Sequence, residues 1–183
     1  MEKASEKTRT SVLKIGITGP ESSGKTWMAR ALADMFDDLW LPEYAREYLS
    51  VLKRPYNEED LNNIAREQLN REHVYLEQAG RILFCDTDAL VLKIWYEHKF
   101  GMVPEFIEKS LGTYSMHLVM KPDIAYEEDP LRENPELGNY FFNCFISILD
   151  SRKLKYEVIS GSYGERIKKA GKYIQQLLDN TPA

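Results

Sequence analysis

Residues Ile17 to Thr26 read ITGPESSGKT, which sets two glycines, a lysine and a hydroxyl side chain directly behind an apolar run. Gly19 to Thr26 fits the pattern G-x-x-x-x-G-K-[ST] at every position. Glycine at both ends lets the backbone curl, so that the N–H groups of Glu21, Ser22, Ser23 and Gly24 can converge on one anion. A helix beginning here adds the positive end of its dipole. Lys25 is then placed to reach the β and γ phosphates of a nucleoside triphosphate, and the Thr26 hydroxyl to hold Mg²⁺. The stretch predicts a P-loop for ATP and Mg²⁺.

Phosphoryl transfer to an alcohol also needs a metal-side carboxylate and a group that takes the hydroxyl proton. Asp86 closes the apolar run Ile82-Leu83-Phe84-Cys85. A carboxylate at the C-terminal end of a parallel strand faces the ligand crevice, so Thr26 and Asp86 are the expected metal pair. Asp88 has two readings, a part of the acceptor site or a helix cap. Glu43 follows the short run Leu39-Trp40-Leu41-Pro42 and is the candidate base. Arg46, one helical turn on, would hold an anion or the acceptor, with Tyr44 beside them. The plain alternative for Glu43 and Arg46 is a surface i,i+3 ion pair.

Two further residues carry open readings. In the helical stripe Leu61, Ile64, Ala65, Gln68, Glu72, Tyr75, Leu76 and Ala79, the polar Gln68 and Glu72 interrupt an apolar face, where a group without a partner is costly. Gln68 either hydrogen-bonds an amide-bearing base in the pocket or reaches water at the stripe edge. Arg132 is the only basic residue between Lys121 and Arg152. It either closes over the phosphates from a mobile lid or belongs to a solvated charge run.

These residues need elements to hold them. Strand-like runs occur at Val12–Thr18, Leu39–Leu41, Arg81–Asp86, His117–Lys121 and Tyr156–Ser160. Between them lie helical stripes: Met28, Ala31, Leu32, Met35 and Phe36; a long helix capped by Asn57 with Asp60 at its third position; Leu90, Val91, Ile94, Trp95 and His98; Val103 to Leu111; Phe141, Phe145, Ile148 and Leu149; and Ile167, Ala170, Ile174, Leu177 and Leu178. Strict alternation predicts an α/β, three-layer P-loop kinase fold with about five parallel strands and helices on both faces. The Pro-interrupted, charged segment of about 126–136 is the expected mobile lid.

Composition excludes several classes. The 183 residues are 43% apolar and 29% charged, as in a globular chain, with a net charge of −5 that favours no nucleic-acid partner. No run approaches ~18 apolar residues, and the polar start lacks a secretory signal, so a cytoplasmic protein is expected, with residues 1–10 a flexible tail and 11–183 a single kinase domain. Cys85 and Cys144, without CxxC spacing, read as buried reduced thiols. His73, His98 and His117, far apart in sequence, read as structural or surface residues.

The motifs together resemble the ribosylnicotinamide kinase domain of the NadR type. The resemblance covers nearly the whole chain from about Lys14. It rests on Glu21–Thr26 (ESSGKT), Glu43–Tyr48 (EYAREY), Asp86-Thr87-Asp88, Asp129-x-Leu131-Arg132 and Ser162-Tyr163-x-x-Arg166. It implies ATP-dependent phosphorylation of the 5′-hydroxyl of nicotinamide riboside to the mononucleotide. It further implies that Lys25, Thr26 and Asp86 serve ATP and Mg²⁺, that Glu43 lies near the acceptor, and that Gly161, Ser162 and Tyr163 lie near adenine. Pro130 stands where those relatives carry glycine. The H-x-G-H motif of an adenylyltransferase is absent from these residues, so joining the mononucleotide to AMP is not expected.

Rival readings are a kinase of another nucleoside or small alcohol, and an ATP-responsive regulator. Met120-Lys121-Pro122-Asp123 lacks the asparagine of the guanine-reading N-K-x-D, and Asp86-Thr87-Asp88-Ala89 lacks the glycine of a D-x-x-G switch.

Overall fold

The computed structural model describes residues 12–125 and 135–181. The expected tail and most of the expected lid, Arg132 included, lie outside the described residues. Leu13–Thr18 (β1), Ile82–Asp86 (β3) and Met116–Met120 (β4) are buried at every residue, as their near-continuous apolar character demands. Leu39–Leu41 (β2) and Tyr156–Ile159 (β5) are only partly buried and form the edges. The five strands run in the order β2-β3-β1-β4-β5, with every pairing parallel. The fourth strand starts and ends one residue earlier than its apolar run suggests, and the Lys121 side chain just beyond it is exposed.

Alternate residues of β1 face opposite layers. Leu13, Ile15 and Ile17 meet Lys25–Phe36 (α1) and Tyr163–Asp179 (α7) through Met28, Leu32, Ala170 and Ile174. On the other side Glu58–Gln78 (α3), Ala89–Phe100 (α4) and Gly138–Ser151 (α6) cover the sheet through Leu90, Ile94, Phe145 and Leu149. Tyr44–Val51 (α2) and Glu105–Ser110 (α5) pack outside α3 and α4. Asn57 and Asp60 form the expected capping box. Met35 is 52% exposed rather than inward, since the buried face of α1 is centred on Met28, Ala29, Leu32 and Ala33. Cys85 is buried and Cys144 half-buried, and both are free thiols.

The second face of β1 carries Lys14, Gly16 and Thr18, which build a polar layer under the sheet. Lys14 Nζ donates to Glu72 Oε2 at 2.7 Å and to Thr113 Oγ1 at 2.7 Å. Tyr114 donates its hydroxyl proton to Glu72 Oε1 at 2.5 Å and accepts from the Ala89 N–H at 2.9 Å. Burial pushes the Glu72 carboxyl up, and the adjacent Lys14 charge opposes that shift. Glu72 therefore interrupts its apolar stripe because β1 supplies a counter-ion.

Removing one member of a buried pair leaves the other charge without compensation. Glu72→Ala is expected to lower unfolding free energy by about 3–5 kcal/mol. Adding Lys14→Met should restore a large part of it. Urea titrations measure both, and a Glu72→Ala loss below about 1 kcal/mol would show that the pair does not anchor α3 to β1.

Candidate active site

The β1–α1 junction is the site's frame. Gly19 has φ +147°, Ser22 +57° and Gly24 +87°. A Cβ on Gly19 would lie 2.7 Å from the Met120 carbonyl, so this position requires glycine on steric as well as torsional grounds. Ser23 donates its hydroxyl proton to the Pro20 carbonyl at 2.8 Å, closing the loop on itself. Lys25 Nζ donates to the carbonyls of Gly19 at 3.0 Å and Pro20 at 2.9 Å, so its side chain folds back over the curl. Burial pulls the Lys25 ammonium below its usual value, opposed by the charges of Glu43, Asp86 and Glu21. A loop of this shape at a helix start can hold phosphate.

The next junction sorts two aspartates. Thr87 has φ +71°, a conformation that is rare for a β-branched residue. It reverses the chain so that Asp86 and Asp88 face different surroundings. Asp86, buried, accepts from the Thr26 hydroxyl at 2.6 Å through Oδ2, while its Oδ1 has no partner among the described residues. Burial first, and Glu43 second, push the Asp86 carboxyl up to about 6. Asp88 instead caps α4 by accepting from the N–H groups of Leu90 and Val91, at 3.1 and 3.0 Å. Its other oxygen takes the Thr18 hydroxyl and His117 Nδ1, the latter at 2.7 Å. Of the two readings of Asp88, the geometry is that of the cap.

A cavity of about 280 Å³ runs from the P-loop to the second layer. Its lining includes Glu21 to Trp27 together with Glu43, Arg46, Leu49, Tyr56, Trp95, His98, Lys99, Phe141 and Phe145. The Glu43 side chain is only 12% exposed and accepts from Arg46 Nε at 3.0 Å. The ion pair given as the plain alternative is thus present; both residues line the cavity, and the Arg46 side chain is 45% exposed.

Several expected residues sit elsewhere. Gln68 is buried and does not line the cavity. Its Oε1 accepts from the Tyr44 N–H at 2.8 Å and its Nε2 donates to the Thr87 carbonyl at 3.3 Å, tying the loop of Glu43 to the loop of Asp86. The Tyr44 ring packs against the Arg71 guanidinium, 4.2 Å from its centroid, away from the cavity. Ser162 forms a capping box with Glu165 at the start of α7, while Tyr163 lines the cavity beside the P-loop. His98, read as structural or surface, is exposed and rims the cavity against Phe141.

Sequence reasoning missed the aromatic wall of Trp95, Phe141 and Phe145, because their helical spacing is equally that of a core stripe. It also assigned no role to Arg166. This guanidinium, fully buried, donates to the carbonyls of Ser23 (2.8 Å), Lys121 (2.8 Å) and Gly161 (2.7 Å) and pairs with Asp123. The only signal available was an arginine three residues after Tyr163. Asp123, the last residue of the N-K-x-D-like run, is held by Arg166 and by the Gly161 N–H at 3.0 Å.

The strand order, the glycine-framed loop at the first β-to-α junction and the carboxylate closing β3 define a P-loop kinase fold with three layers. The chain belongs to the AAA domain family AAA_28, whose model matches residues 14–166. The NadR protein in complex with NR superposes with a TM-score of 0.77 at 21% identity, covering 91% of this chain and 52% of that one. Thymidylate kinase from Ehrlichia chaffeensis (TM-score 0.58, 16% identity, 92% and 99% covered) and shikimate kinase from Acinetobacter baumannii (TM-score 0.56, 17% identity, 97% and 99% covered) share the fold. In sequence, the trifunctional NAD biosynthesis/regulator protein NadR of Escherichia coli K12 is 22% identical over 181 residues. That alignment covers 91% of this chain, and the chain spans 43% of that relative's length. Among the described residues no helix is long and apolar enough to cross a membrane.

Because the folded Asp86 carboxyl is raised to about 6, its ionisation opposes folding, and stability is lost as pH rises from about 4 through 6. Asp86→Asn removes that charge. In EDTA without nucleotide the variant should be more stable than the parent by about 3 kcal/mol at pH 7.5, with the gap closing toward pH 4.5. Equal stability at pH 7.5 would mean that the carboxylate is not held at a folding cost.

Proposed function

We propose that this protein is an ATP-dependent kinase that phosphorylates the 5′-hydroxyl of nicotinamide riboside, giving nicotinamide mononucleotide. The observation that carries the reading is the largely buried carboxylate of Glu43, which shares one cavity with Lys25 and the P-loop. In this reading Glu43 accepts the hydroxyl proton as the oxygen attacks the γ-phosphorus, and Arg46 holds Glu43 in place. Lys25 and the P-loop N–H groups stabilise the charge on the phosphates. The similarity to NadR in complex with NR supports this acceptor. The flat faces of Trp95 and Phe141 suit an aromatic base.

Thr26 and Asp86 fit Mg²⁺. Among the described residues the buried Asp86 Oδ1 has no partner, and no group of three His, Cys, Asp or Glu side chains able to hold a metal occurs. One carboxylate and one hydroxyl match an ion that keeps waters and phosphate oxygens as its other ligands. When bound, Mg²⁺ neutralises charge on the phosphates. Arg132 and the lid of about 126–136, with 11–183 acting as one kinase domain, remain part of this proposal. A guanine-directed switch is disfavoured because Asp123 is engaged by Arg166.

Purified protein with ATP, Mg²⁺ and nicotinamide riboside should form the mononucleotide, detected by chromatography. Lys25→Ala should reduce turnover beyond detection. Glu43→Gln should lower kcat by about 10²–10⁴-fold with little change in KM for ATP. Turnover of another nucleoside and none of this one would reject the acceptor. Hydrolysis unaffected by any alcohol would reject the kinase.

A further inference from the structure

The two turns that carry the site's carboxylates are held unequally. The turn between β3 and α4 is buried, and Asp88 fastens it to α4 through Leu90 and Val91, to β1 through Thr18 and to β4 through His117. The turn between β2 and α2 has far less support of its own. β2 is a three-residue edge strand, and Ala45 is the only buried residue of α2. Glu43 stands at the N-cap of α2 without making a side-chain cap, and its carboxylate accepts from Arg46 instead. The first N–H groups of a helix have no partner within it. The Tyr44 N–H, at the start of α2, therefore needs an acceptor from another element.

Gln68 supplies that acceptor. It is buried in α3, whose start is fixed by the Asn57 capping box and whose following turn is tied to β1 by the Glu72–Lys14 pair. Gln68 Oε1 accepts from the Tyr44 N–H at 2.8 Å, while Nε2 lies 3.5 Å from the Pro42 carbonyl and donates to the Thr87 carbonyl at 3.3 Å. One amide thus meets the peptide groups on both sides of Glu43 and the residue that follows Asp86. The position calls for an acceptor and a donor on one side chain, with no further negative charge beside two carboxylates. Glutamine meets both conditions, which neither methionine of the same length nor ionised glutamate does.

We propose that Gln68 is a positioning residue for phosphoryl transfer: it passes the rigidity of the β3–α4 turn to the β2–α2 turn and so fixes the Glu43 carboxylate relative to Asp86. Gln68 does not line the cavity and acts through Glu43. Its loss leaves the carboxylate in place chemically but no longer held on the line of attack, and a displacement of about 1 Å can lower a rate by about 10²-fold. The inference rests on Glu43 as the base, and the experiment separates the two. Initial rates with ATP, Mg²⁺ and nicotinamide riboside are compared for the parent, Gln68→Met, Gln68→Leu, Glu43→Gln and the double variant Gln68→Met/Glu43→Gln, and thermal melts report folding.

Gln68→Met and Gln68→Leu should each lower kcat by about 10- to 100-fold, with KM for ATP within about twofold of the parent. In the Glu43→Gln background, Gln68→Met should lower kcat by less than about twofold further, because the group it positions is already lost. A kcat within about threefold of the parent in both Gln68 variants, equal losses in the two backgrounds, or a loss carried by KM for ATP would overturn the positioning role and leave Glu43 as the base. Melts showing that neither Gln68 variant folds would make the amide a requirement of the fold and overturn the role likewise. Parental turnover by Glu43→Gln, or a parent inactive on nicotinamide riboside, would overturn the function proposed above and the inference with it.

Discussion

A loop that must aim several N–H groups at one external anion cannot engage them within itself, and the rest of the molecule is arranged around that constraint. The curl between β1 and α1 needs left-handed backbone at Ser22 and Gly24 and an open backbone at Gly19. Such geometry persists only where its surroundings determine it. The buried Arg166 guanidinium supplies much of that determination, joining the Ser23 carbonyl to the turns after β4 and β5. Three strand ends are thus fixed to one planar cation, whose fork of donors suits several carbonyls at once.

The same logic of engaged and open groups separates the two aspartates of the β3–α4 junction. Thr87, in a left-handed conformation, directs Asp86 toward Thr26 and leaves Asp88 to cap α4 and meet His117. Gln68 then links this turn to the one carrying Glu43. Two carboxylates are thereby held near one lysine, and their mutual repulsion adds to burial in raising Asp86. In the proposed function, a divalent cation beside Asp86 would relieve that repulsion.

Beneath the sheet the polar layer of Lys14, Glu72, Tyr114 and His117 has a different purpose. It anchors α3 and β4 to β1 at positions where the sequence would otherwise place apolar side chains. Gly16 keeps the strand thin enough for Asp88 and His117 to approach, since an added Cβ would sit 2.9 Å from His117 Nδ1. Lys14, Glu72, Tyr114 and His117 Nδ1 are tolerated in the interior because each finds a partner on another element, whereas the buried His117 Nε2 has none among the described residues.

The alternation of strand and helix, the P-loop, the Asn57 capping box and the carboxylate ending β3 were all legible in the chain, because each depends on residues close in sequence. Local periodicity and local torsion suffice for such features. The strand order, the wall of Trp95, Phe141 and Phe145, the fate of Gln68 and the Arg166 strut were decided only by the tertiary structure. An aromatic residue at helical spacing reads identically whether it meets a core or a cavity, and a buried glutamine or arginine reveals its partners only once distant turns converge. What Asp88 and Gln68 do depends on neighbours some 20 to 70 positions away, as Thr18 and Thr87 are. Sequence spacing carries no information about such neighbours; packing alone selects them.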